Sequence, residues 1–473
     1  MFEVPKPGVL TPGARVLLPV AWVAMVAPLL TLGYGSDVDS WLVGQRALQM
    51  WATATYARSR STGFPLYEIA VTPLVAAGGW VASNALSLAA GLAVILLIYR
   101  LAGDRTLQRP LTTAMTLVGL PVFVKNATST MDYVPALALL LAGYVVLNRR
   151  RPLWAAAIVG IACGVRPTSG LFIVPMIGAV LADSGDLRTA LRMGLIAAIV
   201  GTLAFLPSLR LGGFGIAPVT GALNGILNGM RLLGIAQTLL LLCALCAILY
   251  RARFRLAARE DRPFVVFQAL NLAVWLGLFA WLPGEPEYLL VAVLSLVLVV
   301  DRYASQRAAI AVALLLASYH VIALDVEGSR GGQRRASLKV VQGGTIRDIN
   351  DRRFKLWLRE AATSAHPDGH VLYMEQIIPP TVGNDAFVYD PALDVFTRRD
   401  AKISVSQLVT DVPALVQLRR EGIRVAAWRE REWQYLLPAN AQAHDLVEFI
   451  DDPSALFQLP VRGRPADLPA TIP

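Results

Sequence analysis

The sequence predicts a polytopic α-helical membrane protein with a small α/β domain at its C-terminal end. Three observations lead there. Of its 473 residues 55% are hydrophobic and 16% charged, with a mean hydropathy of +0.54, too little charge to cover the surface of a soluble chain of this length. Apolar runs long enough to enter a bilayer recur through residues 1–325. The formal charge of +10 falls wholly in that part, where 24 Lys and Arg stand against 14 Asp and Glu, while residues 326–473 carry 19 of each. Basic residues flanking membrane spans account for such an excess, and nucleic acid is not expected as a partner. The same composition excludes a disordered chain. The cysteines, Cys163, Cys243 and Cys246, all lie in apolar runs and the tail has none, so no disulfide framework is expected.

Eleven candidate spans follow in order, near residues 14–33, 84–101, 111–125, 133–147, 153–165, 167–182, 193–209, 232–250, 264–283, 288–300 and 308–324. No small-residue cleavage site follows the first, which reads as a retained anchor. With the N-terminus in the cytoplasm, the inner loops carry 17 basic residues, including Arg100, Arg149, Arg150, Arg151 and the Arg251–Arg262 group. The outer loops hold seven: Arg46, Arg58, Arg60, Lys125, Arg166, Arg210 and Arg231. That bias obeys the positive-inside rule. An odd number of crossings then puts residues 326–473 on the extracytoplasmic face of the cell (inner or plasma) membrane. The apolar stretch 64–83 would invert every later loop if it were a span. With Pro65, Pro73 and Gly78-Gly79 in it, it reads as an interfacial or re-entrant part of a long first outer loop, residues 34–83.

Sorting the acidic residues of the membrane part by side separates two kinds. Asp104, Asp183, Asp186, Glu260, Asp261 and Asp301 fall beside arginines in inner loops and read as solvated, paired charge. The outer set, Asp37, Asp39, Glu68, Asp132, Glu285 and Glu287, lies at span ends or in the apolar first loop. Carboxylates at membrane depth are costly and tend to mark functional sites, and six from four segments on one face suggest a shared outer cavity. The alternative is hydration at the headgroups. Asp37-Val38-Asp39 opens a segment, 38–56, whose Trp41, Leu42, Leu48, Trp51 and Ala52 recur at helical spacing, as in a helix lying in the interface. Its N-terminus favours carboxylates, but capping needs only one of the two. Arg58 and Arg60 follow; they either hold a phosphate bidentately or anchor to anionic headgroups.

Together the stretch from Asp37 to Glu68, the loop Lys125-Asn126-Ala127-Thr128-Ser129-Thr130-Met131-Asp132, the Gly164-Val165-Arg166-Pro167 corner and Gly284-Glu285-Pro286-Glu287-Tyr288-Leu289-Leu290 resemble the GT-C superfamily of integral-membrane glycosyltransferases. Order and sidedness carry the resemblance, which is closest in pattern to protein mannosyltransferases and the lipid A aminoarabinose transferase. It implies transfer of a sugar from a polyprenyl-phosphate-linked donor to an acceptor glycan, lipid or protein, by single displacement with inversion. It implies that Asp37 or Asp39 is the first-loop base, and that Asp132 places the acceptor or a divalent cation, Mg or Mn. Arg58, Arg60, Lys125 and Arg166 would hold the lipid phosphate, with Tyr67, Glu68, Asn126, Glu285, Glu287 and Tyr288 as further substrate contacts. Many members carry Arg-Tyr where this chain has Glu287-Tyr288, which leaves Glu287 a sugar-recognising or a structural role. Such chemistry passes through an oxocarbenium-like state and a departing phosphate, so it needs a carboxylate and cations. A lipid-linked-sugar transporter or flippase, or a non-catalytic assembly subunit of the cell envelope, is the competing reading; it would require a polar path to the cytoplasmic side, or none.

The tail is expected to be a small extracytoplasmic α/β domain: a linker over 326–345, helices near 346–364 and 411–421, and strands near 369–374, 387–389, 423–428 and 457–461. It shows no Gly-rich phosphate loop, metal spacing or triad order. His366 and His370 flank a Pro-Asp-Gly turn signal.

Overall fold

A computed structural model describes residues 12–60, 62–103, 107–211, 222–256, 258–282, 285–327, 337–364, 371–373, 387–390, 395–398, 403–405, 412–428 and 441–450. The helices are α1 (Pro12–Val26), α2 (Val38–Thr53), α3 (Pro65–Gly103), α4 (Pro110–Val118), α5 (Pro121–Ala127), α6 (Tyr133–Asn148), α7 (Pro152–Val165), α8 (Ile173–Ser184), α9 (Leu187–Leu209), α10 (Ala222–Leu233), α11 (Ile235–Leu256), α12 (Arg262–Trp281), α13 (Leu289–Tyr303), α14 (Gln306–Ser318), α15 (Gly344–Ser364), α16 (Val412–Arg420) and α17 (Ala441–His444). Among the described residues, five helical segments are long and apolar enough to cross a membrane: Pro65–Ala102, Pro167–Ser184, Leu187–Leu209, Ile235–Arg253 and Arg262–Trp281. Four shorter apolar helices accompany them: Arg15–Thr31, Tyr133–Asn148, Pro152–Val165 and Gln306–Ser318. The chain divides into two compact units.

The first unit takes Met1–Pro28, Ser61–Tyr67 and Ala85–Arg347. Its helices pack through small residues, as apolar helices in lipid do: a Cβ at Gly160 of α7 would lie 2.7 Å from Val200 of α9. Helix α9 buries Ala190, Met193, Ala197, Gly201 and Phe205. It exposes Leu187, Leu191, Leu195, Ile199 and Leu203 at every fourth position. An exposed leucine stripe of that length suits lipid, not water.

Several expected segments take a different form. The run 111–125 is two short helices, α4 and α5, because Gly119 ends one and Pro121 starts the next at its first turn. The last run, 308–324, stops as helix at Ser318 and continues as strand β1 (Ile322–Glu327). Strand β1 pairs antiparallel with β2 (Ser337–Gln342), so a hairpin occupies the start of the stretch expected to be a linker. Asp301, expected to be solvated, is buried. Its carboxylate accepts from the backbone N–H groups of Gln108 and Arg109, both at 2.7 Å, and from Thr113 Oγ1 at 2.8 Å, supplying the cap that Arg109 cannot give α4.

The second unit takes Leu29–Arg60, Glu68–Asn84 and Asp348–Pro473. The stretch 64–83 is helical and runs straight into the 84–101 run as α3, interrupted at Gly79 (φ 58°, ψ −146°), a conformation that glycine reaches at little cost. The unit also holds a six-stranded sheet. With β3 (Val371–Tyr373), β4 (Phe387–Asp390), β5 (Val395–Arg398), β6 (Ile403–Val405), β7 (Arg424–Trp428) and β8 (Glu448–Ile450), its order is β4-β5-β6-β3-β7-β8. Strand β3 runs parallel to both β6 and β7, β7 parallel to β8, while β4, β5 and β6 form an antiparallel meander. Helix α16 closes one crossover, and Leu415 and Leu418 pack with Val425, Ala427 and Val447. The run expected near 457–461 and the His366/His370 turn lie outside the described residues.

Candidate functional site

The sequence-derived residues fall into two charged clusters, one within each unit. In the second unit, the chain from Leu29 to Tyr34 is fixed from below: Asn84 Nδ2 donates to Leu30 O at 3.0 Å and Gly33 O at 2.8 Å. Gly33 holds φ +75°, and a Cβ there would meet the Trp41 ring at 3.0 Å, so a tight, glycine-dependent turn leads into α2. Trp41 Nε1 donates to Gly35 O at 2.7 Å.

Asp37 is the N-cap of α2 and its Oδ1 accepts the Asp39 backbone N–H at 2.9 Å. Asp39 stands in the first turn, its Oδ2 accepting from Arg60 at 2.9 Å. Asp37 thus caps α2, and Asp39 carries an ion pair. Arg60 and Asp39 side chains are 12% and 26% exposed, so solvent reaches that carboxylate. Glu68, fully buried on the first turn of α3, accepts from the Tyr56 hydroxyl at 2.5 Å, the Ser59 backbone N–H at 2.7 Å and the Ser59 hydroxyl at 2.5 Å. Both its oxygens are taken by the segment that bears Arg58 and Arg60, so it sets the path of that segment. Arg58 is half-buried.

Helix α15 adds groups that sequence reasoning did not include. Asp348 Oδ1 accepts from the Ser36 hydroxyl at 2.5 Å, and its Oδ2 pairs with Arg352 Nε at 2.9 Å. Lys355 Nζ lies 5.8 Å from the centre of the Trp41 ring, and the Arg359 guanidinium 5.3 Å from that of Trp80, within cation–π range. The signal was present as a basic stripe at 352, 355 and 359, spaced as one helix face.

In the first unit, the cluster forms around Arg166. This residue ends α7 in extended geometry (φ −151°, ψ 115°) and precedes Pro167, the conformation that a residue before proline favours. Gly164 lets the corner pack: a Cβ there would lie 2.6 Å from Leu66. The Arg166 side chain is 4% exposed and that of Asp132 0%. Its guanidinium donates to Asp132 Oδ2 at 2.5 Å and Glu285 Oε2 at 3.1 Å. It sits 3.7 Å from the Tyr133 ring centre, 4.6 Å from Tyr288 and 5.6 Å from Phe64. The Tyr133 hydroxyl donates to Glu285 Oε2 at 3.1 Å, and Lys125 Nζ to Glu287 Oε1 at 3.1 Å. Lys125, Asp132, Arg166, Glu285, Glu287 and Tyr288 are thus brought into this cluster. Asn126 binds back to Val122 O at 2.8 Å, and its Oδ1 is buried with no hydrogen-bond partner among the described residues. Tyr67 is buried on α3. Tyr133 and Phe64, which sequence reasoning passed over, supply the stacking faces.

No three His, Cys, Asp or Glu side chains that could hold a metal ion converge among the described residues. Asp132 and Glu285, the carboxylates best placed for a Mg or Mn ion, both face Arg166, so this donor set does not fit a divalent cation. Comparison with protein-family models, with curated proteins and with solved structures yields no match for this chain.

Proposed function

We propose that this protein is a membrane glycosyltransferase of the GT-C type, moving a sugar from a polyprenyl-phosphate donor to an acceptor hydroxyl, with Asp39 as general base. One observation carries the reading: both aspartates are half-buried, but Asp37 gives its Oδ1 to the cap of α2, while Asp39 holds its Oδ2 2.9 Å from the Arg60 guanidinium. The Asp39 carboxylate takes the proton of the acceptor hydroxyl. The acceptor oxygen attacks the anomeric carbon, the bond from that carbon to the phosphate oxygen breaks, and the lipid phosphate leaves with the electron pair. The anomeric configuration inverts. Arg60, with Arg58, faces the charge that develops on the phosphate.

The Asp132–Arg166 pair of the first unit, with Lys125, is a second cluster whose cations suit a phosphate. A guanidinium held by three aromatic rings and two carboxylates is preorganised. The residence of such groups in an apolar chain supports a functional site, because a buried ion pair is weak support for stability alone.

The test is incubation of membranes containing the full chain with a panel of polyprenyl-phosphate sugars, followed by mass spectrometry of products. The reading expects one donor to lose its sugar to an acceptor with free polyprenyl phosphate as co-product. No turnover of any donor, with binding and translocation of the intact donor instead, would overturn it.

A further inference from the structure

The hairpin formed by β1 and β2 is amphipathic by register. Ile322 pairs with Gln342, Leu324 with Val340 and Asp325 with Lys339, and alternation puts Ile322, Leu324, Leu338 and Val340 on one face, Ala323, Asp325, Lys339 and Val341 on the other. The second face is tied down. Asp325 accepts from Arg231 at 2.8 Å and Arg347 at 3.3 Å, and Ala323 is buried. The base is closed by Gly343 N–H donating to Val321 O at 2.8 Å and Gly344 N–H to Tyr319 O at 2.8 Å. On the first face Ile322 is 50% exposed, Leu338 63% and Val340 66%, with Leu324 half-buried among them and Gln342 exposed at the end.

We propose that this face of the hairpin lies in the bilayer interface, seated on lipid at the boundary between headgroups and acyl chains. Two physical limits place it there. An exposed row of three large aliphatic side chains is unfavourable in water. A two-stranded sheet leaves the outer N–H and C=O groups of both strands without ladder partners, which forbids the hydrocarbon core. The interface satisfies both: the apolar face enters by about 5–10 Å while the strand edges stay wet. Continuity points the same way. Helix α14, an apolar helix with Ile310 and Leu314 exposed, ends at Ser318, three residues before Val321, so this face follows directly from a lipid-suited helix. The hairpin thereby anchors the chain where it leaves α14, in either topology and whatever reaction the protein performs.

The test uses the full chain in lipid nanodiscs, with Cys163, Cys243 and Cys246 replaced by alanine and single cysteines introduced as Val340→Cys, Leu338→Cys and, on the opposite face, Lys339→Cys. Each is labelled with a nitroxide, and collision with oxygen and with a water-soluble nickel chelate is compared. Val340→Cys and Leu338→Cys are expected to show an oxygen-to-nickel collision ratio several-fold above that of Lys339→Cys, at a depth just below the headgroups. Equal ratios at all three sites would overturn the proposal, as would protection of positions 338 and 340 from both reagents, which marks a protein partner. Ile322→Cys repeats the measurement on the other strand if a β2 label disturbs the pairing.

Discussion

Two ion pairs, Asp132–Arg166 in the first unit and Asp39–Arg60 in the second, share their chemistry and differ in solvent. The first is sealed: side chains 0% and 4% exposed, tyrosines against the guanidinium and a second carboxylate on it. The second is open, at 26% and 12%. A sealed pair pays desolvation on both charges and depends on each partner being present, whereas an open one exchanges its partner for water or substrate at low cost. Under the proposed function, the difference separates a holding group from a reacting group, a distinction that residue type alone does not make.

The comparison breaks most visibly at the sealed pair. Arg166→Ala leaves Asp132 buried and uncompensated, and is expected to cost about 3–5 kcal/mol, read as a lower thermal midpoint in detergent. A loss below 1 kcal/mol would mean that the pair is not sealed. Asp37→Ala removes a cap and should cost about 1 kcal/mol, while Asp37→Asn, an equally good cap, should be nearly neutral; equal losses from both would show that charge rather than capping matters there. Arg60→Ala at the open pair is expected to cost less than about 1 kcal/mol of stability while reducing transfer, so a stability loss matching Arg166→Ala would erase the contrast.

The smallest effect is a pH dependence. His320, in the turn after α14, is hydrogen-bonded to Gly119 O at 2.8 Å and Thr345 at 2.6 Å, and burial lowers its pKa below the usual 6.5, against a smaller opposing pull from the Gly119 carbonyl. The unfolded chain therefore binds more protons than the folded one as pH falls through 6.5, so stability drops in that direction and levels off once the folded-state group is also protonated. His320→Gln should flatten the dependence between pH 7 and pH 5, measured as thermal midpoint against pH.

Much of the helical architecture was legible because apolar length is a direct physical signal: the runs at 193–209 and 264–283 fold as α9 and α12. Where the sequence misled, local chemistry was outvoted. Asp301 beside Arg302 looked like a solvated pair, yet it caps α4 from 192 residues away in sequence, a partner that no local pattern reveals. The hairpin at 322–342 was hidden because its β-period pattern followed directly on a helix and was split by a Gly- and Arg-rich stretch. Of the rings around Arg166, Tyr288 was singled out from the sequence while Tyr133 and Phe64 were not, and the cations near Trp41 and Trp80 were passed over although their spacing marks one helix face.

The central claim is that Asp39, and not Asp37, takes the acceptor proton. It is tested most directly by sugar transfer in membranes bearing Asp39→Asn and Asp37→Asn separately, at matched expression. The account predicts a loss of about 10²–10⁴-fold for Asp39→Asn with near-normal transfer for Asp37→Asn. Full transfer by Asp39→Asn would contradict it.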